Sequence, residues 1–479
     1  MQSHSLDLES TSSQYASITD ASQTGLDLSG DFTIECWINI ESLPGSEMGL
    51  VAKNDFTGGS DRAYRFSITS DNKIQCYVSE DGGSTNVTHA TADSATFSSA
   101  DIGTWVHVAV TFDISGRTFV FYKNGAVVAS TDTTGGTTAS INNNAIAFEI
   151  GNDDSSGRYF DGKIKDVRVF SDIRTAAEVV SDAHTESVSD ANLVGEWNFN
   201  NAYTDSSGNG NTLTASGSPV FSTDIPWEGA SAVSGSTYLE TNLVSHWELE
   251  ETSGTRVDSK GSNDLSDVNT VTSATGKQGD AADFESSNSE RLEIADNASL
   301  SITGDMTIAG WLKPESATDG MDFASKFGAT APEANQKSWL ARMNASSNTI
   351  AFYTSSAGSS ETGSALSQTF SAGTWYHIVI SYDASASQSE VFVNGVSIGT
   401  ITNTSSIYDG TAYFILGKSD RNGGGNYYDG LIDEFGLYSR ALHYGDVLDL
   451  YNAGSGIPYT AAAAAAATPT PQLLTLGIG

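Results

Sequence analysis

Carboxylates and ring side chains set in turns are the groups in this sequence that could do chemistry. In Trp247-Glu-Leu-Glu-Glu251 the alternation of a strand would put Glu248 and Glu250 on one face. A retaining glycosidase needs two carboxyls about 5 to 5.5 Å apart, but the matching segment Leu193-Val-Gly-Glu-Trp-Asn-Phe-Asn200 does not carry the pair. The acids therefore read as the solvent face of a strand, and no catalytic residue is expected. His107 and His377 recur in Gly-Thr-Trp-x-His and alternate with Trp105 and Trp375. With no Ser or Cys nucleophile beside them they read as structural. Sugar binding would use exposed rings stacked on pyranose faces with amide side chains on rim loops. Tyr408, Tyr427 and Tyr428 with Asn422 and Asn426, in Asn422-Gly-Gly-Gly-Asn-Tyr-Tyr428, form the best such cluster, and Arg158 with Tyr159 is a thinner analogue. The competing reading is that Tyr428 and Phe160 seal a core.

Strands must position these residues. Phe32, Ile34, Cys36, Ile38 and Ile40 share one face of a period-two segment, as do Val106, Val108, Val110 and Phe112. Asn124-Gly125 and Asn394-Gly395 between apolar runs mark two-residue hairpins. Thr175-Ala-Ala-Glu178 fits a helix capping box, with Leu442 to Tyr451 as its counterpart.

The segments repeat. Asp7-Leu-Glu-Ser matches Asp283-Phe-Glu-Ser; Gly30-Asp-Phe-Thr-Ile-Glu-Cys-Trp37 matches Gly304-Asp-Met-Thr-Ile-Ala-Gly-Trp311. Phe160-Asp-Gly-Lys-Ile-Lys-Asp166 matches Tyr428-Asp-Gly-Leu-Ile-Asp-Glu434 in the same order. The Trp197 segment and its match around Trp247 break that order, ending the first copy and opening the second. The copies thus read as circular permutants, feasible where chain ends lie close together.

The 479 residues exceed what one core supports. Lys+Arg 22 against Asp+Glu 59 gives a net charge of −37, which repels phosphate and anionic lipid, so neither nucleic acid nor membrane insertion is expected. Gly is abundant at 47 and Ser, Thr, Asn and Asp crowd the turns, as in an all-β protein. Two cysteines exclude a disulfide framework; one Cys36–Cys76 bridge stays open. Neither a Sec signal nor a membrane span is read from the residues.

Gly-Asp-Phe-Thr-Ile-Glu-Cys-Trp at 30–37, Gly-Thr-Trp-x-His at 103–107 and 373–377, the Asn-Gly hairpins and Asp-Gly-x-Ile-Asp-Glu at 429–434 carry a family likeness, together with Leu-Tyr-Asn-Ala-Gly-Ser-Gly at 450–456. The chain resembles the laminin-G-like jelly-roll family of the concanavalin A-like lectin/glucanase superfamily over most of residues 5–222 and 242–457. The resemblance implies an all-β chain of two tandem β-sandwiches, at 1–225 and 242–457, joined by a linker at 226–241. An Ala/Thr/Pro tail with an apolar end occupies 458–479. The resemblance also implies a structural Ca²⁺ with a carboxylate from the last strand, here Asp433, and oxygens from the turns holding Asp153, Asp154 and Asp420. Lys165-Asp166 departs from that pattern in the first copy. Such folds serve many roles. The expectation is a non-catalytic recognition or structural protein at a virion surface or outside a cell, a phage capsid decoration or tail fibre that binds a cell-surface glycan. Its tail would join other virion or surface subunits. A secreted carbohydrate-binding or adhesion protein is the alternative, and a glycoside hydrolase or lyase would need the missing acid pair.

Overall fold

Apolar–polar alternation folds the chain into many short strands, which the computed structural model describes in residues 3–55, 61–135, 140–153, 157–226, 239–329, 334–421 and 426–456. Four mainly antiparallel sheets result, two from residues 5–222 and two from 243–438. In the first unit the Phe32–Ile40 strand runs between Trp105–Asp113 and Gly162–Phe170. Its Phe32, Ile34, Cys36, Ile38 and Ile40 share one core with Phe66, Cys76 and Val78 of the facing sheet. Both cysteines are free thiols with no exposure. In the second unit Met306–Pro314 runs between Tyr376–Asp383 and Gly430–Tyr438 over an equivalent core.

The tryptophan strands show how the copies are related. Leu193–Trp197 lies antiparallel to Gly162–Phe170 with Trp197 opposite Val167; Leu243–Trp247 lies along Gly430–Tyr438 with Trp247 opposite Phe435. Trp197 Nε1 donates to the Asn211 carbonyl and Trp247 Nε1 to that of Asn263, each at 2.8 Å. Each ring stacks on a phenylalanine of the other sheet, Phe148 at 5.1 Å and Phe414 at 4.9 Å. Thr214–Ser216 and Val220–Ser222 then edge the two sheets of the first unit as Ser266–Val268 and Thr272–Thr275 edge those of the second. The same three-strand cassette closes one unit and opens the other.

Both predicted hairpins form. Asn124-Gly125 has φ of 49° and 75°, and Asn394-Gly395 has 52° and 77°, values that Asn and Gly meet at least cost. Asn124 Oδ1 accepts the backbone N–H of His107 at 3.0 Å and Asn394 Oδ1 that of His377 at 2.8 Å, which binds each turn to the Gly-Thr-Trp-x-His strand.

All nine residues of Phe32–Ile40 are buried, so its second face is covered as well. Helix α1, Ala176–Ala183, is capped by Thr175, whose Oγ1 accepts the Glu178 N–H at 3.3 Å while Glu178 returns a carboxylate to the Thr175 N–H at 2.7 Å. It packs Val179 on Ala109 and Tyr122, and its Ala183 carbonyl accepts Trp37 Nε1 at 2.9 Å. Helix α2, Tyr444–Tyr451, belongs to the second unit, yet Tyr444 lies against Trp37 of the first at 5.4 Å and Phe392 of its own at 5.9 Å. Trp105, Ala309, Val379, Val447 and Leu448 complete this shared cluster. His184 Nε2 and Asp449 Oδ1 stand 2.6 Å apart across the junction, and Ser397 N–H donates to the Asn124 carbonyl at 3.2 Å. The units thus pack through one sheet each, with the helices between, leaving the other sheet of each unit to turn a polar face outward.

Candidate functional site

The outward faces carry clustered polar side chains in both units. In the first unit Arg62, Arg65, Gln75, Tyr77 and His89 line a hollow of about 480 Å³. The Arg65 guanidinium lies 4.8 Å from the centre of the Tyr77 ring and reaches Asp153 at 2.9 Å, Glu47 at 2.7 Å and Gln75 at 3.1 Å. In the second unit the matching tyrosine, Tyr353, carries Arg421 at 4.0 Å, and Glu361 accepts both Arg421 at 3.2 Å and Lys337 at 2.6 Å. An arginine stacked on a tyrosine at one register is thus common to both units, although the arginines come from different segments. Such planar, multiply donating groups match a hydroxyl-rich ligand.

The predicted sugar cluster is only partly assembled. Tyr428 has no exposure, packs edge-on to Phe284 at 6.4 Å and sits at the place of the fully buried Phe160. It seals the core, and burial pushes its hydroxyl well above the usual phenol range. Tyr427 is half-buried with Lys418 5.7 Å from its ring, and Asn426 Nδ2 donates to the Arg421 carbonyl at 2.8 Å. Tyr408 sits over Gly358. Arg158 supports the first-unit hollow by reaching Asp153 at 3.0 Å and Glu47 at 3.4 Å, while Tyr159 stacks on Tyr15 at 6.1 Å. Asn422 lies outside the described residues.

The predicted Ca²⁺ ligands do not converge. Asp153 is fully buried between Arg65 and Arg158, and two guanidinium groups exclude a cation from it. Asp420 pairs with Lys418 at 3.0 Å, and Asp154 is outside the described residues. Asp433 is fully buried and caps a turn: its Oδ2 accepts the N–H groups of Lys277 at 2.7 Å and Gln278 at 2.9 Å. Burial, with Oδ1 left without a hydrogen-bond partner, pushes its pKa up to about 7. Lys165 occupies the same position in the first unit with the polarity reversed. Its Nζ donates to the His4 carbonyl at 2.6 Å, the Asn198 carbonyl at 2.9 Å and Asn200 Oδ1 at 3.1 Å.

A different acidic group does repeat. Asp7, Glu9 and Glu41 bring carboxylate oxygens within 4.8 Å of one another, and Asp283, Glu285 and Glu315 do the same in the second unit. Asp7 and Asp283 each bury an oxygen without a hydrogen-bond partner. Burial first, then the neighbouring carboxylates, raises the pKa of Asp7, Glu9, Asp283, Glu285 and Glu315. Either cluster could hold a metal ion, since hard cations take oxygen ligands. The signal for it lay inside the repeat: both copies keep Asp-x-Glu at the end of matching strands and a Glu four residues after the strand tryptophan, whereas Asp433 aligns with Lys165.

Glu248 and Glu250 do not alternate on one strand. The strand ends at Trp247, and Leu249 turns into the core with φ 65°, as Phe199 does with φ 52°. Glu250 instead accepts the Asp280 N–H at 2.8 Å. His107 and His377 are buried, which pushes both pKa values down to about 3 and keeps them neutral. Sequence reasoning missed a buried ion group beside His107. Arg168 reaches Glu196 at 2.8 Å, Glu35 at 3.2 Å and the Asp182 carbonyl at 2.6 Å.

The family model described as the concanavalin A-like lectin/glucanases superfamily matches residues 10–180 and 286–447. The chain belongs to this superfamily. Both matches of this concanavalin A-like chain fall on the two sandwiches. Curated proteins offer no match. Among solved structures, the binding domain of Paraclostridial Mosquitocidal Protein 1 is similar at 17% identity and TM-score 0.37, covering 45% of this chain and 53% of that one. A putative carbohydrate binding protein from Bacteroides ovatus aligns at 17% identity and TM-score 0.35 over 46% of this chain and 60% of its own. Domain 4 of an extracellular arabinanase from Geobacillus stearothermophilus, solved with arabinotriose, aligns at 22% identity and TM-score 0.34 over 43% of this chain and 97% of that domain. The alignments thus span little more than half of the first two structures.

Proposed function

We propose that the chain is a non-catalytic glycan-binding protein whose two outward sheet faces meet the sugar. The observation that carries this is the arginine-on-tyrosine arrangement at the same register of both units, Arg65 on Tyr77 and Arg421 on Tyr353, among Gln75, His89 and Glu361. Tyr353 and Arg421 are half-buried and offer a flat surface and donors to hydroxyl-rich rings, whereas Arg65 and Tyr77, 5% and 4% exposed, floor the first-unit hollow. The reading sets the protein outside the cell or on a virion surface, where such glycans are met. Residues 458–479, expected from the sequence to join other subunits, lie outside the described residues. Among the described residues no helix is long and apolar enough to cross a membrane.

A glycan array, run beside a reducing-sugar assay on every glycan retained, tests the reading. Retention without turnover is expected, with Tyr77→Ala and Tyr353→Ala each weakening it. Released reducing ends would overturn the non-catalytic reading, and silence on all glycans the binding one.

We infer further that Ca²⁺ is the ion suited to the two acidic clusters, where Asp7, Glu9 and Glu41, and Asp283, Glu285 and Glu315, would hold it. Millimolar Ca²⁺ is expected to raise the melting temperature by a few degrees, and Glu41→Gln with Glu315→Gln to abolish the rise. An equal rise in that variant would assign the ion elsewhere.

A further inference from the structure

The junction of the two units leaves a cleft of about 930 Å³ that the glycan reading does not use. Its walls come from both units: Val127 beside the first hairpin, Val180 of α1, Val396 beside the second hairpin, and Leu448, Tyr451 and Asn452 at the end of α2. Val127 is 63% exposed, the most exposed large apolar side chain among the described residues. An apolar cleft at a domain junction is the usual place for a ligand or an inserted segment.

The chain itself supplies an occupant at the mouth. After α2 it passes through Gly456, whose carbonyl accepts Asn452 Nδ2 at 2.9 Å, and Asn452 is a wall residue. Beyond Gly456 the sequence runs on as a spacer whose large apolar side chains are confined to Ile457 and Tyr459: seven alanines at 461–467, then Thr-Pro-Thr-Pro-Gln472. The spacer leads to Leu473-Leu-Thr-Leu-Gly-Ile478, the one apolar run beyond Gly456. In extended form Leu474, Leu476 and Ile478 share a face. A random coil of this length spans roughly 20 Å, enough to turn back to a cleft that begins beside its origin. A tether also keeps the segment at an effective concentration of about a millimolar near the cleft. We propose that Leu473–Ile478 of the same chain docks in the junction cleft, covering Val127 and bracing the two units against each other.

The test is a cysteine pair in the full chain, V127C with I478C. Cys36 and Cys76 are fully buried and do not compete. Mild oxidation is expected to yield an intrachain disulfide in most molecules, seen as a mobility shift of the monomer on non-reducing gels. Adding L474D and L476D should lower the yield at least tenfold. A second pair, A177C with I478C, covers the case in which the first lowers the melting temperature. A monomer that does not cross-link in either pair, with wild-type melting, overturns the proposal. Disulfide-linked dimers also overturn it, because the segment then occupies the cleft of another copy.

Discussion

One bulge holds opposite charges in the two units. Lys165 and Asp433 both come just after the Asp-Gly-x-Ile turn and precede a residue of positive φ, Asp166 at 47° and Glu434 at 48°. Lys165 has three oxygens around its ammonium, whereas Asp433 meets two N–H groups and leaves one oxygen bare. A carboxyl whose folded pKa, about 7, lies above its unfolded value of 3.8 holds its proton more tightly when folded. Its contribution to stability is therefore complete below about pH 4 and is lost as pH rises to 7. Asp433→Asn should remove that slope. The unfolding free energy of wild type minus variant, from urea titrations, is expected to fall between pH 5 and pH 8 by about 1–3 kcal/mol, and a constant difference would show that the carboxyl titrates normally. The resemblance pointed to Asp433 but could not show what faced it, because its partners Lys277 and Gln278 lie about 155 residues away. The acidic clusters were hidden in a similar way, because Glu41 reaches Asp7 only through sheet order.

At the scale of elements, much was legible and one face was not. The hairpins, the capping box and the moved tryptophan strand are local patterns, and each formed where the residues placed it. The second face of Phe32–Ile40, with Thr33, Glu35, Trp37 and Asn39, reads as solvent-facing because it alternates with the core. It is buried because Arg168 neutralises Glu35 from 133 residues away and α2 arrives from the other unit. In the second unit Ala309, Gly436 and His246 stand at the corresponding places. Removing the shared guanidinium with Arg168→Met should therefore cost about 3–5 kcal/mol, read from urea unfolding. An equal loss in Gly436→Met, where a side chain would crowd Tyr438 and no charge is at stake, would point to packing instead. The hairpin carries a second test. A Cβ on Gly125, at φ 75°, would meet Val180 Cγ2 at 2.7 Å and Tyr444 Oη at 3.0 Å. Gly125→Ala is expected to cost about 1–3 kcal/mol, a loss that calorimetry would detect as a lower melting temperature.

At the scale of the whole molecule, Tyr444 packs each unit against the other. Its removal in Tyr444→Ala leaves a cavity against Trp37 and Phe392, and truncation of a buried aromatic costs about 3–5 kcal/mol. The expected result in scanning calorimetry is a single cooperative transition splitting into two, and a single sharp transition at unchanged temperature would show that Tyr444 does not couple the units. The permuted strands bear on how such a molecule is made. Residues 193–222 and 243–275 supply cassettes of the same topology, separated by barely twenty residues, for two matching slots. A ribosome delivers the chain from its amino end, and units fold as they emerge. The earlier slot is complete when its own cassette appears, so the later cassette finds it taken and must await its proper partner strands. Refolding from denaturant lacks that schedule, and both cassettes then compete for whichever slot forms first.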